Sequence, residues 1–402
     1  MATLPLQAEL DRRWAGGADG VPELVDWLLA ETSRSGASDL HLEPRDGGLL
    51  FRWRRDGCLA DAGVERGPLC SNVVQRIKVL AGLLTYRTDI PQDGRIGGAE
   101  GGADMRISVY PTVQGEKVVV RFFQKGAGGR GGEGVPDWTL DALGLEPRDL
   151  ARLDGFLGRP QGMVLLTGPA GSGKTTTLYA CLRRLVEASR GTRQIVTIED
   201  PVERIIPGVT HTELKPVAGL DYPAALKALL RQDPEVIMVG EVRDGETAQV
   251  AVQAALTGHL ILSTVHAPSA PEVLLRLLHL GVEPYLVASV VSAVVEQRLA
   301  RKRCDACQGP APAEAAGCAR CAGTGYRGRL LLAELLPIEG ALREAILTRA
   351  DRLPLLNAAA SLCWRGLWAR GVEKVSAGST TEAELRRVLV PAAETERTES
   401  RG

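Results

Sequence analysis

The sequence predicts an α/β protein: a largely parallel sheet sandwiched by helices, with a smaller α+β domain before it and a cysteine-bearing, helical region after it. Three observations carry this. Short apolar, β-branched runs alternate with helix-like segments through the middle of the chain. A glycine-rich stretch, GPAGSGKTTT from Gly168 to Thr177, stands between one such strand and one such helix. The densest run of glycine, GAGGRGGEG at Gly126–Gly134 followed by Val135-Pro136, has the composition of a flexible linker and sets the first 125 residues apart.

In chain order, Val21–Ser35 reads as an amphipathic helix opened by Pro22. Asp39–Leu42 and Leu49–Trp53 alternate as strands do, and Asn72–Leu83 returns to helical spacing. Met105–Val109 and Lys117–Phe123 form a second strand pair. Beyond the linker, strands are expected at Met163–Thr167, Gln194–Ile198, Val236–Val239 and His259–Thr264, with helices between them. Ala341–Arg349, Arg352–Trp368 and Thr381–Val390 read as helices, and ETERTESRG as a frayed tail. The expected organisation is a flexible N-terminus at 1–20, a small domain at 21–125 and a linker at 126–136. A P-loop domain at 137–300, a cysteine element at 301–330, a helical region at 331–390 and a disordered tail at 391–402 complete it.

Composition narrows the partners. With 48 basic against 49 acidic residues and only 4% aromatics, there is no general attraction to nucleic acid and little to stack on bases, so none is expected as a partner. No run of eighteen apolar residues occurs and the N-terminus lacks a basic-then-apolar signal, so a soluble, cytoplasmic protein is expected.

Gly168–Thr175 fits G-x-x-x-x-G-K-[ST] at every fixed position. Gly168, Pro169, Ala170, Gly171, Ser172 and Gly173 would wrap a triphosphate with backbone N–H groups, and the helix N-terminus opened by Lys174, Thr175 and Thr176 adds partial positive charge. Lys174 would reach the β/γ-phosphates, and the Thr175 hydroxyl would ligate magnesium. The expected ligand is therefore ATP with Mg2+. Two apolar strands end in carboxylates. EVIMVGE ends at Glu241, the first candidate for general base, and QIVTIEDPVE carries Glu199-Asp200, placed to hold magnesium through water or orient the nucleophile. A single such acid is more often a solvated strand end; two beside a P-loop point to chemistry. His266 closes the strand HLILSTVH at its carboxyl end and is the candidate for sensing the γ-phosphate, whereas His259, at the other end, reads as a packing residue.

Four of the eight cysteines stand as Cys304-x2-Cys307-x10-Cys318-x2-Cys321, the bite of a closed, structural Zn2+ site; the other reading is a pair of redox dithiols. Cys58, Cys70, Cys181 and Cys363 are scattered and expected as buried, small apolar side chains.

Taken together these motifs resemble the secretion ATPases that drive type II secretion and type IV pilus assembly. GPAGSGKTTTLYA is similar to the family's Walker A stretch, with Ala170 where threonine is usual. VTIEDPVE resembles its aspartate box, LRQDPEVIMVGEVRDGETA its Walker B region and ALTGHLILSTVHA its histidine box. SDLHLEP, PQDGR and MRIS…PTVQGEKVVVRF resemble its small N-terminal domain, so the likeness spans roughly residues 20–390. It implies a RecA-like motor domain working as a ring, usually a hexamer, whose small domain supplies arginines to the phosphates; Arg95 and Arg106 hold those positions, and Arg231 and Arg243 are weaker candidates. The cysteine quartet is similar to that of extension and secretion motors rather than retraction motors, with a shorter gap between its pairs. The implied partners are an inner-membrane platform protein and a membrane-anchored adaptor, with the chain itself cytoplasmic and peripheral to the inner membrane. Two other readings stand beside this: a nucleotide-dependent, RecA-like DNA-handling protein, which the neutral charge disfavours, and a non-hydrolysing regulatory homologue, which intact Lys174, Glu199 and Glu241 disfavour.

Overall fold

A computed structural model describes residues 5–15, 17–97, 104–123, 139–215, 219–309, 318, 320–321, 323–349 and 351–389. The expected linker at 126–136, most of the chain between the two cysteine pairs and the tail at 391–402 lie outside them. The chain divides into two compact units, Met1–Val135 and Pro136–Gly402.

The first unit contains α1 (Gln7–Trp14), α2 (Val21–Arg34), β1 (Asp39–Arg45), β2 (Gly48–Arg55), β3 (Cys58–Arg66), α3 (Cys70–Leu80), β4 (Gln92–Ile96), β5 (Asp104–Thr112) and β6 (Gly115–Phe123). Its sheet is antiparallel in the order β3-β2-β1-β6-β5-β4. Leu49, Phe51 and Trp53 alternate inward along β2 and share a core with Leu24, Leu28 and Ile77 of the helices. Residues 1–20, expected to be flexible, instead contain α1, which is docked on β3. Leu6 and Leu10 are buried, and a side chain at Gly63 would collide with Leu10 at 2.3 Å. The Gln7 amide mimics a strand, donating to Val64 O and accepting from Val64 N, both at 2.9 Å. Among the described residues the sequence signal for this was one i,i+4 leucine pair, too short to read as a periodicity.

The second unit contains α4 (Pro147–Leu157), β7 (Gly162–Thr167), α5 (Lys174–Ser189), β8 (Ile195–Glu199), β9 (Thr210–Glu213), α6 (Tyr222–Leu229), β10 (Val236–Val239) and α7 (Gly245–Leu256). β11 (Leu260–Thr264), α8 (Ala270–His279), α9 (Pro284–Val290), β12 (Val291–Arg303) and β13 (Tyr326–Pro337) follow. α10 (Gly340–Leu347), α11 (Arg352–Ser361), α12 (Gly366–Ser376) and α13 (Glu382–Val388) close the unit. Strand order is β13-β12-β7-β11-β10-β8-β9, parallel from β12 to β9 with β13 antiparallel at the edge. One core lies against α6 to α11 and the other against α4 and α5, so helices cover both faces of the sheet.

Three expectations change here. The P-loop unit does not stop at residue 300, because β12 runs through that boundary and pairs with β7 along Val291–Glu296. The region 331–390 is not wholly helical, since it starts inside β13. LLLAELL has helix-forming composition, but cross-strand pairing from Ala293↔Pro337 to Arg301↔Arg329 overrides it. The helix expected over 352–368 is broken at Cys363, which takes the left-handed conformation at φ 63°. Among the described residues no helix is long and apolar enough to cross a membrane.

Candidate active site

β7 is buried along its whole length and delivers the chain to Gly168 at the sheet's carboxyl edge, where ligands meet open α/β sheets. The loop turns back through Gly171 and Gly173, both at positive φ, and α5 begins at Lys174. Gly168 (φ +150°) is dictated by its surroundings as well as its conformation. A Cβ there would lie 2.4 Å from Gln297 O and 2.6 Å from Ser172 Oγ. Lys174 Nζ donates to Gly168 O at 2.8 Å and Pro169 O at 2.9 Å, folding the ammonium back over its own loop. Burial lowers the Lys174 pKa, Glu241 opposes this, and Arg298 adds to it.

Beside the loop is a cleft lined by Ala170, Gly171, Lys174, Thr175, Glu199, Asp200, Glu203, Glu241 and His266. Strand order explains the meeting. β11 lies between β7 and β10, so His266, just past β11, stands between the lysine loop and Glu241, just past β10. His266 Nε2 lies 3.5 Å from Glu241 Oε2, and Arg243 forms an ion pair with Glu241 Oε1 that raises the arginine's pKa. Asp244 faces away from this chemistry: its side chain caps α7, accepting from Thr247 N at 2.8 Å. His259 sits at the far end of β11, its Nδ1 2.8 Å from Ala254 O.

Glu199 differs from Glu241. It is only 4% exposed, and both its oxygens are engaged: by the Tyr179 hydroxyl, by Thr197 Oγ1 at 2.6 Å and by His211 Nδ1 at 2.9 Å. Glu199 borders the cleft, but both of its carboxylate oxygens are already taken by side chains of the protein. Arg95 and Arg106 belong to the first unit, where they are cross-strand neighbours on β4 and β5, Arg106 lying 3.9 Å from Asp93. Thr175 lines the cleft, and Ser172 is buried.

Sequence reading missed the support behind the loop. Gln297 on β12 is fully buried and donates to Ser172 O at 2.9 Å, and its amide nitrogen would meet a Cβ on Gly173 at 3.3 Å. On either side of it, Glu296 accepts from Ala270 N at 2.9 Å and Arg298 donates to Pro268 O at 3.2 Å, holding the chain that follows His266. Three consecutive residues thus hold both the phosphate loop and the histidine loop. Nothing in VVEQRLARKR announces this, because it depends on β12 lying beside β7.

At the far end of β12 the four cysteine sulfurs lie within 4.8 Å of one another, with Cys304–Cys318 at 4.0 Å and Cys307–Cys321 at 3.8 Å. A tetrahedron of thiolates with Zn–S bonds of about 2.3 Å has sulfur–sulfur edges of about 3.8 Å. The donor set and its spacing fit zinc.

A phosphate-binding loop at the head of a helix, with a lysine, a magnesium-type hydroxyl and a carboxylate on the next strand but one, defines a nucleoside triphosphatase of the P-loop class. Residues 15–387 match the family model described as "Type II/IV secretion system protein", and the chain belongs to that family. It is 42% identical over 376 residues to the type II secretion system protein HxcR of Pseudomonas aeruginosa, covering 92% of this chain and 78% of that one. It is 41% identical over 384 residues to the type II secretion system protein E of Klebsiella pneumoniae (91% and 75% covered). To the type IV pilus assembly ATPase PilB of Myxococcus xanthus it is 38% identical over 400 residues (92% and 68%). Its fold is that of the Legionella pneumophila ATPase DotB (TM-score 0.69, 20% identity, 91% and 95% covered). It is likewise that of the pilus retraction motor PilT with bound ADP (TM-score 0.60, 23% identity, 92% and 98%).

Proposed function

We propose that this chain is a motor ATPase that hydrolyses ATP to ADP and phosphate and thereby powers type II protein secretion or type IV pilus or pseudopilus assembly at the inner membrane. The observation that carries the reading is Glu241, at the end of an apolar strand in the phosphate-loop cleft and within 3.5 Å of His266. The backbone of Gly168 to Gly173 and the head of α5 hold the phosphates, with Lys174 leaving its loop carbonyls for the β/γ oxygens. Magnesium, bound through the Thr175 hydroxyl, would neutralise charge on the β- and γ-oxygens. Glu241 orients and deprotonates the attacking water, and His266 contacts the γ-phosphate side of the cleft. The family resemblance makes Arg95 and Arg106 the candidates for supplying further positive charge to a bound nucleotide. Cys304, Cys307, Cys318 and Cys321 would hold zinc in a closed, structural role.

The working unit is a homo-oligomeric ring, a hexamer, in the cytoplasm and docked on an inner-membrane platform protein and a membrane-anchored adaptor. A DNA-handling role is disfavoured by balanced charge, 48 basic against 49 acidic residues. The decisive experiment is Glu241→Gln. It should bind ATP and assemble as the wild type does, while steady-state phosphate release falls about 10²- to 10⁴-fold, the usual contribution of a positioned base. Turnover near the wild-type rate would remove Glu241 from this role. Co-purification with a platform protein and pilin-like subunits then separates secretion from pilus assembly.

A further inference from the structure

Glu199 gathers three donors, Tyr179, Thr197 and His211, and two of them, His211 and Tyr179, also hold backbone groups. His211 Nε2 lies 3.0 Å from Ile206 N. A backbone N–H can only donate, so Nε2 carries the lone pair and the ring proton is on Nδ1, directed at Glu199 Oε1 2.9 Å away. The Tyr179 hydroxyl donates to Glu199 and accepts from Glu203 N at 3.2 Å and Arg204 N at 3.3 Å. Burial and the neighbouring Glu199 push the Tyr179 pKa far up, so it stays a hydroxyl able to do both. Glu213 accepts from Val202 N at 3.2 Å. The backbone N–H groups of 202, 203, 204 and 206 therefore end on side chains instead of on a helix or strand ladder. That irregular segment contributes Pro201 and Glu203 to the cleft that holds Lys174 and Glu241.

We propose that His211 and Tyr179 are positioning residues of the ATPase site: with Glu199 as their common anchor, they fix the segment from Asp200 to Ile206 as one wall of the nucleotide cleft. This rests on the ATPase reading above. It reassigns Glu199 from reacting acid to anchor, and it brings in two residues that stand behind the cleft lining. The requirement at 211 is geometric: one group that donates to Glu199 and accepts from Ile206 N at the spacing of the two ring nitrogens. A glutamine amide offers a donor nitrogen and an acceptor oxygen at nearly that spacing, whereas leucine offers neither.

The test compares His211→Gln, His211→Leu and Tyr179→Phe with the wild type in ATP turnover, fluorescent ATP-analogue binding and thermal melting. H211Q should keep kcat within about twofold, while H211L and Y179F lose about ten- to a hundredfold in kcat, the scale of a small misplacement in an active site. Analogue affinity should stay near wild type, because the phosphate loop is untouched. Wild-type kcat in a folded H211L would overturn the proposal. So would an H211Q as slow as H211L, which would mean that the imidazole itself is needed; should H211L fail to fold, H211Q alone decides. A wild-type protein that releases no phosphate would instead overturn the ATPase reading, a distinct outcome visible in the same assay.

Discussion

Glu296 offers a sharp test of the physical reasoning, because its environment is closed and its partner is known. It lies on β12 between Thr167 of β7 and Glu334 of β13 and is 6% exposed. Burial, reinforced by Glu334 and Glu272, pushes its pKa from 4.5 up to about 7, against the pull of the Ala270 N–H and Arg298. A carboxyl whose folded pKa is raised keeps its proton longer when folded than when unfolded. Between pH 4.5 and 7 the native state thus binds more protons, and stability declines as pH rises through that window. At 1.36 kcal/mol per pKa unit, the rise corresponds to about 3 kcal/mol lost by the time the group is ionised in both states. Glu296→Gln keeps an oxygen to accept from Ala270 N and never ionises. The variant should match the wild type near pH 5 and exceed it above pH 7.5 by up to about 3 kcal/mol, roughly 5–10 °C in melting temperature for a unit of this size. Parallel melts from pH 5 to 8.5 read the difference directly, and titrations shared by both proteins cancel. A wild-type-minus-variant difference that does not change with pH would refute the reasoning.

Three further substitutions probe the loop and the cysteines. Gly168→Ala forces a Cβ to within 2.4 Å of Gln297 O and should weaken ATP-analogue binding at least about tenfold, whereas Gly171→Ala, with open space around its Cβ, should cost much less; equal effects in an affinity titration would contradict this. Cys304→Ser removes one of four sulfurs, so metal analysis of the purified protein should find zinc near one per chain in the wild type and well below that in the variant; equal zinc in both would exclude the quartet as its site.

Much of the site was legible because its logic is local. Glycines at a phosphate loop, a lysine at a helix head and an acid ending an apolar strand each announce themselves within ten residues. Glu241 and His266 were found that way, and the cleft brings them together. Glu199 shows the limit. Its sequence context, a strand-ending acid, matches that of Glu241, but what separates them is burial among Tyr179, Thr197 and His211, which come from α5, β8 and β9. The same holds for the fold. VSAVVEQRLARKR follows PYLVASV without a breaker, so the change from α9 to β12 leaves no mark, and LLLAELL becomes strand only because β12 is beside it. The docked α1 was invisible because Leu6 and Leu10 are a single pair.

Strand β12 touches the phosphate loop through Gln297 and leads directly into Cys304 at the cysteine turn. The separation is about seven residues, or roughly 23 Å of extended chain. Extended chain hydrogen-bonded into a sheet has almost no slack. A displacement at the cysteine turn would therefore be passed along the strand toward the phosphate loop, except for what the slip in pairing at Arg301–Arg303 takes up. Phosphate loop and cysteine turn are two ends of one tie rod.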